Sequence, residues 1–186
     1  MKKNIFLTGG PSSGKTAVLK QVIERLSVPV SGFYTEEERE GSRRVGFVIR
    51  TIDGREGYLA HRDIKSTFNI REYGVSIRNM RTIAVPSIAP VKKNVIILDG
   101  IGKMECFSRV FKQAVIKALN SSNIVIGTLA PGGDDFIMAV RSREDVEIHE
   151  VTRNNRKLLP DFILNRISDL LSTSVHNGKK IPPKGK

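Results

Sequence analysis

Only one cysteine, Cys106, occurs in the 186 residues. An intramolecular disulfide and a cysteine-ligated metal cluster are therefore excluded, and the usage fits a reducing compartment in which Cys106 is a small buried hydrophobe. Long hydrophobic runs are also missing. The first, Ile5-Phe6-Leu7 behind Met1-Lys2-Lys3, is too short for a signal-peptide core or a membrane span, so a cytoplasmic protein with no membrane partner is expected. The three histidines, His61, His149 and His176, share no metal-ligand spacing. Aromatic residues are only 6% of the chain and do not interleave with basic ones as a single-strand platform requires. Acidic residues are the scarcer charge, 19 against 31 lysines and arginines, for a net charge of +12. That excess invites a polyanion, but the basic residues are spread along the chain and four lysines fall in the last eight positions. A solvated basic surface is the simpler reading, with a nucleic-acid partner as the alternative.

The length suits one domain, here residues 1–175, followed by a basic tail over 176–186 that lacks periodicity and reads as disordered. A monomer is expected. Lys3 to Thr8 is a short strand, and Val18, Leu19, Val22, Ile23 and Leu26 then recur at helical spacing. Gly32–Glu36 and Val45–Thr51 read as strands, and Asp53-Gly54 turns the chain back through Tyr58-Leu59, giving an antiparallel β-meander. From Arg62 to Pro90 the pattern is weak; Pro86 and Pro90 limit any helix over Ile83–Ala89 to a turn or two. Asn94–Leu98 and Ile124–Leu129 are continuous apolar runs, as expected of strands covered on both faces. A helical stripe from Phe107 to Leu119, a short helix near Phe136–Val140, a strand at Val146–Val151 and a helix over Asp161–Leu171 complete the chain. The alternation predicts an α/β three-layer sandwich, a mainly parallel sheet flanked by helices with the meander appended.

Between the first strand and first helix stands Gly9-Gly10-Pro11-Ser12-Ser13-Gly14-Lys15-Thr16, which satisfies G-x-x-x-x-G-K-[ST], the phosphate-binding P-loop. Glycine lets the backbone curl into a nest of inward-pointing N–H groups. The helix start adds its positive dipole end, Lys15 can reach the β- and γ-phosphates, and the Thr16 hydroxyl can ligate Mg²⁺. Such a loop needs an acidic partner on a neighbouring buried strand, and Val95-Ile96-Ile97-Leu98-Asp99 supplies one. Asp99 could instead cap a helix, but Gly100-Ile101-Gly102 follows it. In many ATPases of this layout a glutamate directly follows the strand aspartate and serves the attacking water; here that position is Gly100. Glu105 is the nearest acidic substitute, or else a first-turn charge suiting the next helix dipole. Asp134-Asp135 reads as a helix start.

With these residues in place, the chain resembles the small P-loop nucleoside-triphosphatases of the thermophile type, relatives of a human cancer-related nucleoside-triphosphatase. The similarity runs from about residue 4 to about residue 171. Beyond the loop it rests on Gly32-Phe33-Tyr34-Thr35-Glu36-Glu37, Ile83-Ala84-Val85-Pro86, Gly102-Lys103-Met104-Glu105, and Glu150-Val151-Thr152 with Asn155-Arg156. The family pattern Asp-Glu-x-Gly-Lys-Met-Glu is kept except for the first glutamate, replaced by Gly100. The resemblance implies Mg²⁺-dependent hydrolysis of several nucleoside triphosphates, with nucleotide contact from Gly9 through Thr16 and from Val95, Ile96, Ile97, Leu98, Asp99, Gly100, Ile101 and Gly102.

Read together, Lys15, Asp99 and Glu105 are the candidate catalytic groups, and Thr16 and Asp99 the metal ligands. Arginines stabilise charge developing during phosphoryl transfer; Arg141, Arg143, Arg153 and Arg156 are the candidates, Arg156 first and Arg141 next for contact with nucleotide. Without a base-reading motif such as Asn-Lys-x-Asp, broad acceptance of ATP, GTP and other triphosphates is expected. The rival readings are a nucleotide or polynucleotide kinase and a nucleotide-dependent nucleic-acid-binding module.

Overall fold

The computed structural model describes residues 2–177. In chain order its strands are β1 (Asn4–Thr8), β2 (Val30–Glu40), β3 (Arg43–Thr51), β4 (Glu56–His61), β5 (Asn69–Ile70), β6 (Tyr73–Val75), β7 (Val95–Ile101), β8 (Ile124–Leu129) and β9 (Val146–Glu150). The helices are α1 (Lys15–Arg25), the short α2 (Ile77–Asn79) and α3 (Val85–Ser87), α4 (Arg109–Asn120), α5 (Asp135–Arg141) and α6 (Leu159–Asn177). The strands form one sheet in the order β5-β6-β4-β3-β2-β7-β8-β1-β9. Pairing from β2 through β7, β8 and β1 to β9 is parallel, and the remainder is antiparallel. The expected α/β sandwich with an appended meander is the observed fold.

The apolar runs serve two cores at once, because successive side chains of a strand point to opposite faces. Ile5, Leu7, Val95, Ile97, Ile124 and Ile126 pack with Val18, Leu19 and Val22 of α1 and with Ile163, Ile167 and Leu170 of α6. Phe6, Ile96, Leu98 and Val125 face the other way, toward Phe111, Val115 and Leu119 of α4 and Ile137 and Val140 of α5. Each strand residue changes layer with its neighbour, and so no polar position interrupts the run.

β2 is the pivot between the two halves. Val30–Phe33 pair parallel with Val95–Leu98, whereas Phe33–Glu40 pair antiparallel with β3. The turn at Asp53-Gly54 is as expected, with Gly54 at φ 88° and its N–H donating to the Thr51 carbonyl at 3.1 Å. The stretch from Arg62 to Pro90, whose weak pattern predicts little regular structure, differs. It holds β5 and β6, then a helical run from Ile77 through a widened π-type turn at Met80–Ala84 into α3. Met80, Ala84 and Ile88, spaced by four, are its fully buried stripe, and the wide turn lies just before Pro86, which has no N–H to offer a regular helix.

Helix starts follow local chemistry. Ser108 accepts from the Phe111 N–H at 3.2 Å, so α4 begins at Arg109 rather than within the apolar stripe at Phe107. Asp134 accepts from the Ile137 N–H at 3.0 Å and pairs with Lys112, which gives it the capping role expected of it. α6 runs to Asn177, and the rest of the tail read as disordered lies outside the described residues. No helix of the described residues is long and apolar enough to cross a membrane.

Gly32 is the tightest point of the pivot. It has φ +114°, and a Cβ there would lie 1.9 Å from the Ile97 carbonyl oxygen. Gly32→Ala is expected to destabilise the protein by at least about 3 kcal/mol in chemical denaturation; a change below about 1 kcal/mol would show that β2 and β7 are not packed this closely.

Candidate nucleotide site

The carboxyl ends of β1, β7 and β8 open into a cavity of about 640 Å³, the size of a small-molecule site. On one side stand Gly9, Pro11, Ser12, Lys15 and Thr16; at its base Asp99, Gly100, Ile101, Gly102, Glu105 and Thr128; opposite, Thr35, Glu36, Glu37, Arg44 and Phe47 of the β2–β3 hairpin. Lys103 and the segment from Leu129 to Gly132 complete the lining.

The loop has the backbone that its glycines promise. Gly9 and Gly14 have φ of 140° and 99°, and Ser12 takes φ 58° although it carries a side chain. Gly14 is the N-cap of α1 and no side chain caps that helix, whereas Ser76, Ser108 and Asp134 cap α2, α4 and α5. The N–H groups that a first helical turn leaves without internal partners are thus left to a ligand, at the positive end of the dipole. Lys15 Nζ lies back on its own loop, donating to the carbonyls of Gly9 at 3.0 Å and Gly10 at 2.8 Å. Burial draws the Lys15 pKa below its ordinary value, with Asp99 opposing the shift.

Asp99 is delivered by the buried run of β7. Thr16 Oγ1 donates to its Oδ2 at 2.7 Å, and Thr128 Oγ1 donates to Oδ1. Only 3% exposed, the carboxyl has its pKa pushed up by burial against the two hydroxyl bonds and Lys15. β7 is not beside the loop strand β1, because β8 lies between them; Thr128, at the end of β8, fills that gap. The register shifts between Asp99 and Ile101, leaving Gly100 unpaired opposite Thr128 and Leu129. Bulges of this kind commonly stand beside sites, where they re-aim a side chain.

Glu105 sits in the short 3₁₀ turn Glu105–Phe107, and its Oε2 accepts from the Gly102 N–H at 3.1 Å. Burial, with Asp99 adding to it, raises its pKa to about 7. It lines the cavity and opens a separate 3₁₀ turn, so it is not the first-turn charge of α4, which begins at Arg109. The neighbouring Cys106 is buried, its thiol pushed up to about 12 by desolvation, an inert state.

Other expectations sort differently. Val95, Ile96, Ile97 and Leu98 are at most 1% exposed and do not line the cavity; they form the core strand that positions Asp99, so the cavity lining in this stretch begins at Asp99. Arg143 is held by Asp145 and Asn120, at the end of the sheet where β9 begins, away from the loop. Arg141 donates to the Ala130 carbonyl at 3.1 Å and to Thr8 at 3.4 Å, and does not itself line the cavity. Arg153 is exposed and does not line the cavity. Arg156 is exposed and lies over the loop, with Cδ 3.7 Å from where a Gly14 Cβ would stand. Gly10, Ser13 and Gly14 belong to the loop without lining the cavity. Sequence reasoning missed Thr128, whose signal is a lone hydroxyl near the end of an apolar run. The hairpin wall was also missed, and it has no sequence signal because only the fold brings it over the loop.

A parallel sheet with an uncapped glycine-rich loop at the first strand end, and a buried aspartate two strands away, defines a P-loop nucleotide-binding α/β protein. Comparison with known proteins places it further. A family described as NTPase matches residues 4–164, and the chain belongs to that family. It is 42% identical over 163 residues to nucleoside-triphosphatase THEP1 of Thermotoga maritima, covering 87% of this chain and 93% of that one. It is 36% identical to the human cancer-related nucleoside-triphosphatase, covering 88% of this chain and 96% of that one. Among solved structures, the crystal structure of THEP1 from Aquifex aeolicus superimposes with a TM-score of 0.80 at 29% identity, covering 88% of this chain and 98% of that one.

Gly100 stands where the resemblance implies a glutamate, and a side chain there would press on Thr128. A Cβ built on Gly100 would lie 2.2 Å from Thr128 Oγ1, the hydroxyl that holds Asp99. Gly100→Glu is therefore expected to lower the melting temperature by about 4 °C or more without raising turnover. Thermal unfolding and phosphate release check this; faster turnover at an unchanged melting point would contradict it.

Proposed function

We propose that this chain is a Mg²⁺-dependent nucleoside triphosphate phosphohydrolase that accepts ATP, GTP and other triphosphates. The observation that carries the reading is that one cavity joins an uncapped helix N-terminus and Lys15 to two buried carboxyl groups, Asp99 and Glu105. The names of the relatives point the same way. The loop amides and Lys15 hold the phosphates, Lys15 exchanging its loop carbonyls for phosphate oxygens. Arg156 closes over the outside of the loop.

Thr16 and Asp99 fit a magnesium ion, because both are hard oxygen donors and their oxygens already meet at 2.7 Å. A carboxylate as buried as Asp99 also calls for a neutralising cation. When bound, such an ion would lessen the charge on the phosphate oxygens. The remaining roles belong to the chain. Glu105, fixed by the Gly102 N–H, takes a proton from water as the water oxygen bonds to the γ-phosphorus and the bond to the β–γ bridging oxygen breaks, releasing nucleoside diphosphate and phosphate. Nothing in the lining reads a base edge by a recognised motif, which supports broad acceptance.

The hairpin wall of Thr35, Glu37, Arg44 and Phe47 favours one second reading, transfer to a bound acceptor in place of water. Turnover only when a nucleoside monophosphate is supplied would decide for it.

Two outcomes are expected in phosphate-release assays. Lys15→Ala weakens triphosphate binding by at least about 100-fold, the loss of charge-assisted bonds to phosphate. Glu105 must be unprotonated to accept a proton, so kcat/KM rises with pH through about 7 and levels above it. Glu105→Gln lowers kcat by roughly 10²- to 10⁴-fold and removes that limb; a full rate in Glu105→Gln would assign the base elsewhere, and equal turnover with and without Mg²⁺ would remove the metal from the reading.

A further inference from the structure

Phosphoryl transfer gathers negative charge on the γ-phosphoryl oxygens and the β–γ bridge, and a cation that meets this charge only in the transition state accelerates the step. The arginines fail on position. Arg143 is at the far end of the sheet, Arg141 is tied to Thr8 and Ala130 and does not line the cavity, and Arg156 lies outside the loop beside Gly14. Arg44 lines the cavity but is committed: Glu37 holds its guanidinium at 2.7 Å, Tyr73 Oη accepts at 3.3 Å, and the group lies 4.8 Å from the Phe47 ring centre.

Among the described residues, the one lining cation outside the loop and free of such ties is Lys103. Among the described residues it has no ion pair and no side-chain hydrogen bond, it is exposed, and it lines the same cavity as Lys15, Asp99 and Glu105. Its backbone is fixed where its side chain is not. Gly102 before it donates to Glu105 Oε2 at 3.1 Å, and the Gly102 carbonyl accepts from the Cys106 N–H at 3.0 Å, closing a tight turn around Lys103. The turn follows directly from the strand that carries Asp99 and leads into Glu105, so Lys103 is carried between two carboxyl groups that line the same cavity. Its ammonium, with three donors on a flexible stem, can follow oxygens that move as the bond breaks.

We propose that Lys103 is the chain's own charge-stabilising cation for hydrolysis, contacting the γ-phosphoryl oxygens in the transition state and doing from within what an arginine finger does. The proposal rests on the phosphohydrolase reading above. The covalent step is unchanged: water oxygen to phosphorus, bond broken to the bridging oxygen, proton to Glu105. Lys103 forms no bond and gives up no proton.

The test compares full-length wild type with Lys103→Met and Lys103→Arg. Lys103→Met is expected to lose roughly 10²- to 10³-fold in kcat with KM changed less than about 3-fold, and Lys103→Arg to regain at least a tenth of the wild-type rate. A merely structural lysine would not show the second readout, which is binding. Affinity for a non-hydrolysable ATP analogue should be unchanged in Lys103→Met, while affinity for ADP with aluminium fluoride, a mimic of the transferring phosphoryl group, should fall by at least about 30-fold. Full turnover in Lys103→Met, or equal loss of both ligands, overturns the proposal. A wild type that releases no phosphate would instead overturn the phosphohydrolase reading itself. Lys103 is exposed, so melting temperatures should match; if Lys103→Met melts lower, the ratio of the two affinities in Lys103→Gln decides.

Discussion

The structure turns on a buried carboxyl group at the base of the cavity. Asp99 is held at both oxygens by hydroxyls from different elements, Thr16 at the start of α1 and Thr128 near the end of β8. Burying an ionisable group without partners is costly, and these two bonds with the nearby Lys15 ammonium are what the chain provides. The arrangement fixes α1's first turn over the ends of β7 and β8, and therefore fixes the loop that precedes it. On the proposed reading a ligand that brings phosphate and a cation satisfies the remaining demand, so that stability and binding draw on the same atoms.

Everything beneath that point serves to hold it still. β7, β8 and β1 divide their side chains between two cores, and α1 is anchored to the sheet by Val18, Leu19 and Val22 alongside α6. The other core ties α4 and the helical run after β6 to the opposite face, carrying the turn with Glu105. The long β2 then leaves the parallel core after Phe33 and carries the meander to the wall of the cavity. Its charged residues are largely matched, Glu36 with Lys20 and Arg50 and Glu37 with Arg39 and Arg44, so the wall is firm without adding a strong field. Paired in this way, much of the meander's basic charge is spent locally rather than offered to a polyanion.

What could be read in the sequence follows from how local each cause is. The loop from Gly9 to Thr16 was legible because glycine placement and a lysine–threonine pair answer directly to phosphate geometry. Asp99 was legible as an acid ending an apolar run, and Asp134 as a cap. Residues Val95 to Leu98 were carried into the contact stretch by resemblance, and burial removes them. Thr128 and the place of β8 between β1 and β7 depend on strand order, which no spacing along the chain reveals. Met80, Ala84 and Ile88 did carry a four-residue period, but Pro86 and Pro90 hid it, since proline normally ends or kinks a regular helix. Arg143 and Arg156 look alike in sequence and lie at opposite ends of the sheet.

The central claim is that a triphosphate seats in the curl from Gly9 to Thr16, with its terminal phosphate turned toward Asp99, Glu105 and Lys103. A crystal structure with a non-hydrolysable ATP analogue and magnesium tests this most directly. The account predicts phosphate oxygens on the loop amides, Lys15 moved off the Gly9 and Gly10 carbonyls, and the ion between Thr16 and Asp99. An analogue bound at full occupancy elsewhere, with Lys15 still on its own loop, would contradict it.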